Sequence, residues 1–206
     1  AVMVRTRNRP LPQGDLGDRQ VMVFAATPGL LSMLILVVWV NTLTAVLTFV
    51  SLIGYAIVYT AWLKRATPQN IVIGGAAGAA PPLLGWTAVT GSVDPGALLL
   101  FLIIFVWTPP HFWALAIRHN DDYKAAGVPM LPAVVSLRQT TAAMVRYCIA
   151  VVVVSLVLIP VADLGWVYGV VAVIVGLLFL GGTIALGRRP SEAGAMRLFS
   201  FSITYI

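Results

Sequence analysis

Charged residues are scarce in this sequence. Lys, Arg, Asp and Glu make up 10% of the 206 residues, whereas hydrophobic residues make up 60%. Because a soluble domain carries roughly 25% charged residues, this composition excludes that class and indicates an integral membrane protein. We expect no nucleic-acid partner, since a few basic loops at one membrane surface account for the formal net charge of +6.

Cysteine is almost absent. The single Cys148 excludes an internal disulfide framework, and its apolar neighbours predict a small buried side chain rather than a ligand or nucleophile. No signal peptide is visible. The chain begins without Met and ends at Ile206 inside a new apolar run, so we expect a fragment that is truncated at both ends.

Long apolar runs dominate the rest of the chain. Runs of roughly 20 residues can cross the ~30 Å of hydrocarbon in a bilayer as helices. They predict an all-α, polytopic transmembrane helical bundle with six full spans and part of a seventh, all within one membrane-embedded domain, residues 1–206. The predicted spans are about 21–40, 43–63, 71–90, 97–117, 143–162 and 165–187, and the seventh begins near Leu198.

Cations are missing from every second connection between these spans. All 13 Lys and Arg residues fall on one side, while the opposite connections contain Asp94 and Asp163. The positive-inside rule makes the basic side cytoplasmic. The predicted cytoplasmic segments are 1–20, 64–70, 118–142 and 188–197, and we expect the functional site on that face.

Proline pairs fall within two consecutive spans, at Pro81-Pro82 and at Pro109-Pro110. We expect both pairs to interrupt the helical hydrogen bonding, a break that is tolerated where the freed carbonyls face protein or a cavity. Kinking for packing explains either pair alone, but two pairs beside a charged cluster favour a cavity. Three glycines of the third span predict close helix approach: Gly74, Gly75 and Gly78.

The charged cluster lies in WTPPHFWALAIRHNDDYKAAGVPMLP (107–132). If this segment is helical, His111, Arg118 and Asp122 lie within about 20° of one face and predict the wall of a polar cavity. Asp121 and Asp122 point about 100° apart, but Mg²⁺ bound to substrate phosphates needs only one or two carboxylates. Alternatively, Asp122 pairs with Arg118 and Asp121 is solvated. Both interpretations stay open.

Basic groups on the same face are candidates for binding an anionic substrate, because Arg suits bidentate phosphate recognition. Setting topology and attracting anionic lipid are their other roles. Those roles suffice for Arg188, Arg189 and Arg197, but they explain the compact motif RTRNRPLP (5–12) less well. The phosphate candidates are Arg5, Arg7, Arg9, Lys64, Arg65 and Arg118.

His111 and His119 are the only histidines. An imidazole on an apolar helix is usually hydrogen-bonded structure, but His111 follows a proline pair, where a broken backbone makes room for a bulky ligand. Several aromatic side chains within the spans could line an apolar tunnel, although such residues near span ends are more often interfacial anchors. They are Tyr55, Tyr59, Trp86, Trp107 and Trp113.

Four blocks resemble the protohaem IX farnesyltransferases, the haem branch of the UbiA-type intramembrane prenyltransferases. They are RTRNRPLP (5–12), YTAWLKRATPQNIVIGGAAGAAPPLLGW (59–86), WTPPHFWALAIRHNDDYKAAGVPMLP (107–132) and RLFSFSITYI (197–206). The resemblance implies about nine spans around a central cavity in a bacterial plasma membrane, with the site on the cytoplasmic side. It also implies a farnesyl transfer from farnesyl diphosphate to a vinyl group of haem b, assisted by Mg²⁺.

The resemblance further assigns roles to residues. Asp121 and Asp122 match the second acidic motif and would contact Mg²⁺, with Arg118 beside them as a catalytic candidate. The first acidic motif is expected immediately upstream of Met3, outside this sequence, so we expect the 206 residues alone to be inactive. The diphosphate would be bound by Arg5, Arg9, Lys64 and Arg65, with Asn70 assisting. The haem would be bound by His111, as iron ligand or as partner of a propionate, and His119 is the second candidate for that role.

Two alternatives remain. A relative that prenylates a quinone or chlorophyll precursor is disfavoured because RHNDDYKAAGVPMLP carries fewer acids than the DxxxD pattern of the quinone branch. A transporter or a non-catalytic haem-handling protein also fits the proline-containing spans, since discontinuous helices are common in transporters. Contact with haem A synthase or with oxidase assembly proteins would fit the haem branch.

Overall fold

The computed structural model describes residues 8–206, and these residues form helices joined by short connections, with no strand among them. Six helices are long and apolar enough to cross a membrane. In chain order these are α2 (Asp18–Val40), α3 (Thr42–Ala66), α4 (Asn70–Thr90), α5 (Pro95–Arg118), α8 (Leu137–Val161) and α9 (Trp166–Arg188). Shorter helices complete the fold: α1 (Pro10–Gln13), α6 (Asn120–Ala125), α7 (Leu131–Val134) and α10 (Glu192–Tyr205).

The predicted all-α bundle and its six spans are confirmed, and the differences lie at helix starts. Helix α8 begins at Leu137, before the predicted start at about 143, because Ser136 and Gln139 form a capping box. The Ser136 Oγ accepts from the Gln139 N–H at 3.3 Å, and the Gln139 Oε1 accepts from the Ser136 N–H at 3.1 Å. Helix α10 likewise begins before Leu198, at a cap formed by Ser191.

The proline pairs remove backbone hydrogen bonds, as expected, but they do not end the helices. Helix α4 continues through Pro81 and Pro82, and helix α5 continues through Pro109 and Pro110. Each proline removes one backbone hydrogen bond, but Pro109 and Pro110 are almost completely buried. At Pro109-Pro110, dense packing on neighbouring helices therefore holds the helical path despite the lost hydrogen bonds, whereas Pro81 is exposed.

Polar contacts join the helices at the end of the bundle opposite the cations. The Asn41 Nδ2 donates to the Thr87 carbonyl at 2.8 Å, and the Thr44 hydroxyl bonds that of Thr87 at 2.9 Å. The Trp86 indole N–H donates to Asp94 across the next turn at 2.7 Å. Because consecutive helices alternate in direction, the basic helix ends gather at the other end of the bundle, which we call the basic end.

Helix α5 is central and packs on α4, α8 and α10. The core between them contains the buried side chains of Trp113, Met144 and Phe179. Cys148 lies in this core, fully buried, with its Sγ 3.3 Å from the Thr183 hydroxyl. The prediction of a small buried cysteine is confirmed.

Small residues permit close contacts, as predicted at two of three glycines. A Cβ on Gly74 would lie 2.5 Å from the Tyr59 ring, and one on Gly75 would lie 3.0 Å from Thr108. A Cβ on Gly78 would meet nothing within 4 Å among the described residues, so the predicted role of Gly78 in helix approach is wrong.

A further close contact joins α8 and α9, where a Cβ on Gly176 would lie 2.7 Å from Val152.

We expect Gly176→Leu to destabilise the bundle by about 1–3 kcal/mol, because the added side chain forces α8 and α9 apart. Gly181→Leu is the matched control, since Gly181 lies on the same helix with open space at its Cβ position. Thermal melting of both variants in detergent, followed by tryptophan fluorescence, checks this. Equal melting temperatures for the two variants would contradict it.

Candidate functional site

A pocket of about 870 Å³ opens at the basic end of the bundle, and we call it the mouth pocket. Its wall combines two cations with aromatic and aliphatic side chains from five helices and their connections. The lining residues are Arg9, Pro10, Leu11, Pro12, Leu16, Tyr55, Tyr59, Lys64, Ile71, Phe112, Tyr123, Val128 and Met130. The pocket therefore offers positive charge beside an apolar surface.

Two of the predicted phosphate-binding residues meet here. Arg9 precedes α1, and Lys64 lies in the last turn of α3, yet both line the mouth pocket. Arg65 is exposed one residue further on. Arg5 and Arg7 lie outside the described residues.

Asn70 supports the turn that presents Lys64. It is fully buried at the start of α4, and its Nδ2 donates to the Lys64 carbonyl at 3.0 Å. The Asn70 Oδ1 is buried without a hydrogen-bond partner among the described residues. Direct contact of Asn70 with a diphosphate stays a prediction; its hydrogen bond positions Lys64.

Tyr59 separates the mouth pocket from an apolar groove. Its ring lies against Gly74 and stacks on Tyr55 with ring centroids 5.4 Å apart. Both tyrosines belong to a π-helical stretch, Gly54–Leu63, a conformation that occurs frequently at functional sites. The groove lies between α3 and α4, has a volume of about 340 Å³, and is lined by Val50, Val58, Tyr59, Ile73, Gly74, Ala77, Leu84 and Phe101, among others.

The other aromatic residues that were tunnel candidates lie elsewhere. Trp86 binds Asp94 at the opposite end of the bundle, and Trp113 is buried in the central core. The Trp107 indole N–H donates to the Ser202 carbonyl at 2.8 Å. These three side chains connect helices, so only Tyr55 and Tyr59 remain candidates for lining an apolar tunnel.

The acidic segment departs from the predicted single helix. Helix α5 ends at Arg118, His119 leaves helical geometry, and a new helix α6 carries both aspartates. The expectation that Asp122 shares a helix face with His111 and Arg118 is therefore wrong. The chain turns at this point because the residues after α6 fold back onto the bundle.

Apolar anchors hold that returning segment. Val128 and Met130 are buried against Ile71 of α4 and Ala116 of α5. The turn before them needs a left-handed backbone, which Gly127 supplies with φ 62°. Tyr123 packs on this cluster and faces the mouth pocket.

The charged side chains of this segment pair in an arrangement that differs from the predicted alternative. Arg118 forms an ion pair with Glu192 of α10, not with Asp122. The Asp122 Oδ2 lies 3.9 Å from the His119 Nδ1, and Asp121 is exposed. Neither aspartate lines the mouth pocket. Since Tyr123 faces the pocket, Asp122 one residue earlier on α6 points about 100° away from it.

Asp121 and Asp122 do not form an enclosed metal site. Within residues 8–206 there is no group of three or more His, Cys, Asp or Glu side chains that could enclose a metal ion. Two adjacent carboxylates nevertheless fit Mg²⁺ that takes its remaining ligands from substrate phosphates and water. The donor set therefore fits a metal shared with an anionic substrate.

His111 is held on both ring faces. It is buried between Trp107 and Phe199, with ring centroids 4.3 and 4.5 Å away, and its Nδ1 lies 2.6 Å from the Ser202 Oγ. The Ser202 hydroxyl has one hydrogen, which it donates to the Phe199 carbonyl at 2.6 Å. With that donation, the tautomer of His111 that is protonated on Nδ1 satisfies both contacts and leaves the lone pair on Nε2.

We expect Ser202→Ala to lower the free energy of unfolding by about 1–3 kcal/mol, because it leaves the buried His111 N–H without its acceptor. Ser200→Ala is the control, since Ser200 is exposed two residues earlier on the same helix. Thermal melting of both variants in detergent measures the difference. An unchanged Ser202→Ala variant would show that this hydrogen bond does not stabilise the fold.

Sequence reasoning missed several residues of the mouth pocket. Tyr123 follows Asp122 directly, Phe112 follows His111, and the apolar Leu11 and Leu16 belong to the basic N-terminal segment. Tyr123 and Phe112 each adjoin a predicted site residue, which was the available signal, and Leu11 lies two residues from Arg9. None stands out by itself, because apolar and aromatic side chains are common throughout a membrane protein.

Comparisons with known proteins agree with this architecture. The UbiA prenyltransferase family matches residues 1–205. The whole chain is 56% identical to the protoheme IX farnesyltransferase of Alkalilimnicola ehrlichii and 53% identical to that of Methylococcus capsulatus, covering 68% and 69% of those proteins. A solved structure from work on digeranylgeranylglyceryl phosphate synthase in membranes has a similar fold, with a TM-score of 0.80 at 19% identity, over 98% of this chain and 71% of that one.

The similarity is much stronger to the named relatives than a shared fold requires, and it extends over the full sequence. It confirms the resemblance carried by the four sequence blocks. A multi-pass membrane protein is also what the six apolar helices indicate. The chain therefore belongs to the UbiA prenyltransferase family, in its protoheme IX farnesyltransferase branch.

Proposed function

We propose that the protein transfers a farnesyl group from farnesyl diphosphate to a vinyl group of haem b, giving haem O. It works in a bacterial plasma membrane with its site on the cytoplasmic side. The observation that carries this proposal is the junction at Tyr59, where a pocket lined by Arg9 and Lys64 adjoins an apolar groove. A prenyl diphosphate has the same division into an anionic head and an apolar tail.

The cations of the mouth pocket bind the diphosphate. Arg9 and Lys64 neutralise the charge that grows on the diphosphate as its bond to the farnesyl C1 breaks. The wall around them is largely apolar, so their electrostatic attraction is stronger than it would be in open water. Asn70 keeps Lys64 in place by donating a hydrogen bond to the backbone carbonyl of Lys64.

The apolar groove holds the farnesyl tail. Its lining is almost entirely aliphatic and aromatic, which favours burial of an isoprenoid chain and excludes water from the allylic cation. The cation adds to the vinyl carbon of haem b, and a water molecule supplies the hydroxyl of the hydroxyethylfarnesyl product while a proton is released. Tyr59 lies between the two compartments and orients the chain at its reactive end.

Asp121 and Asp122, next to Tyr123 on α6, would hold Mg²⁺ together with the diphosphate of the substrate. When bound, the ion supplies positive charge that stabilises the leaving diphosphate. The arrangement of α6 presents these carboxylates beside Tyr123, and the anchors Val128 and Met130 fix that helix to the bundle. Further ligands come from the substrate and from water.

The haem side uses His111 through Nε2. A ligating histidine usually donates its other ring N–H to a fixed acceptor, which sets the tautomer and the ring orientation. Ser202 provides that acceptor, and Trp107 and Phe199 hold the ring faces. His119, paired with Asp122, is the second candidate.

We also propose that residues 1–206 belong to one membrane-embedded domain, because the family match spans residues 1–205 and helices α4, α5, α8, α9 and α10 pack together. Haem A synthase and oxidase assembly proteins are candidate partners, since a hydrophobic haem product needs a membrane-bound acceptor.

Product analysis of the full-length protein tests the reaction and its metal site together. With haem b, farnesyl diphosphate and Mg²⁺, we expect haem O. Asp121→Asn and Asp122→Asn should each lower turnover by roughly 10²–10³ and raise the Mg²⁺ concentration needed for half-maximal rate, while haem binding is kept. A prenylated hydroxybenzoate without haem O would overturn the proposed substrate, and normal turnover of the double variant would overturn the metal assignment.

Lys64→Gln should lower kcat/KM for farnesyl diphosphate by roughly tenfold to hundredfold, because it removes a charge-assisted hydrogen bond to the diphosphate. Arg138→Gln is the control, since Arg138 is an exposed cation at the same end of the bundle and is outside the mouth pocket. Steady-state kinetics on both variants gives the comparison. An equal loss in both would indicate general surface attraction in place of a specific contact.

A further inference from the structure

A second cation-bearing groove lies on the outer surface between α9 and α10, and we call it the arginine groove. Its volume is about 360 Å³. Arg189 and Arg197 line it, together with the apolar or small residues Leu178, Gly182, Leu198 and Phe201. Arg189 lies at its outer end, and Arg197 lies deeper along α10, since its neighbour Leu198 is level with Gly182. It shares no lining residue with the mouth pocket.

The groove is built from matching faces of two helices. Leu178, Gly182, Ala185 and Arg189 follow one another at intervals of four, three and four residues, which places them within about 60° of one face of α9. The facing residues of α10 recur at similar helical spacing. The small side chains at Gly182 and Ala185 leave the space between the helices open.

The depth of the groove corresponds to one leaflet of a bilayer. Leu178 lies eleven residues before Arg189, which is about 16 Å along the helix axis. Half of the ~30 Å hydrocarbon layer has nearly the same thickness. A ligand whose charged group contacts Arg189 would therefore have an apolar surface beside it down to the middle of the membrane.

Charge selects the ligand. Arg189 and Arg197 are exposed, and the arginine–carboxylate ion pair found among residues 8–206 joins Arg118 to Glu192. Glu192, the acid nearest to the groove in sequence, is thus paired with Arg118. The two groove arginines are left to bind an anion at the level of the lipid headgroups, where basic pockets between transmembrane helices bind anionic lipid.

We propose that the arginine groove is a binding site for an anionic diacyl phospholipid, with its phosphate between Arg189 and Arg197 and one acyl chain along Leu178, Gly182 and Phe201. Topology alone explains the presence of basic residues at this end, but it does not explain an apolar groove of leaflet length beneath two of them. This site is independent of the proposed transferase reaction.

Native mass spectrometry of the full-length protein, titrated with palmitoyl-oleoyl phosphatidylglycerol (POPG) in detergent, tests the proposal. We expect wild-type protein to retain this lipid over the matching phosphatidylcholine. Arg189→Gln with Arg197→Gln should weaken its retention roughly tenfold or more. The control is Arg138→Gln with Arg188→Gln, which makes the same charge change at cations outside the groove.

A third variant distinguishes the effect of the groove's shape from the effect of its charge. Ala185→Phe keeps both arginines but fills the groove, and we expect it to lose retention of POPG as well. Glycerol 1-phosphate, which lacks acyl chains, should not displace the lipid. The proposal would be overturned if the wild type retained both lipids equally or if the two arginine double variants lost POPG equally. It would also be overturned if Ala185→Phe kept its retention of POPG or if glycerol 1-phosphate displaced the lipid.

Discussion

Placing a charge or an unpaired backbone group in hydrocarbon costs so much free energy that this constraint organises the molecule. Each crossing is a helix, and ionisable side chains collect at helix ends. Consecutive helices alternate in direction, so cations from every second connection meet at one surface. Sequence-distant residues such as Arg9, Lys64 and Arg189 thereby reach the same level of the bilayer, and both cation-bearing pockets form there.

The two pockets have the same chemistry and different surroundings. Each places cations above an apolar surface, which suits an amphiphile with an anionic head. The mouth pocket adjoins the groove between α3 and α4 at Tyr59 and collects residues from several helices, as the proposed reaction needs. The arginine groove is a simple cleft between two helices, which suits a lipid that is held without being changed.

Apolar residues decide where the acidic residues lie. Asp121 and Asp122 are on a six-residue helix at the membrane surface, too short to be stable alone. Burial of Val128 and Met130 contributes about 1.5–3 kcal/mol each and fixes that helix to α4 and α5. The motif DDYKAAGVPMLP is therefore one unit, in which the apolar half positions the acidic half.

Much of the architecture follows from the sequence alone. The apolar runs, the distribution of cations and the motif blocks predicted the six spans, the basic end and the family, because transfer free energy and motif spacing are properties of contiguous sequence. They also predicted the buried Cys148 and the contacts at Gly74 and Gly75.

Tertiary packing decided the remaining features. It holds α5 helical through its buried proline pair, it ends α5 at Arg118, and it leaves Gly78 without the expected contact. It also pairs Arg118 with Glu192 and joins His111 to Ser202, both on α10. These outcomes depend on which helices become neighbours and on the free energy that their mutual burial supplies, and no local pattern encodes that choice.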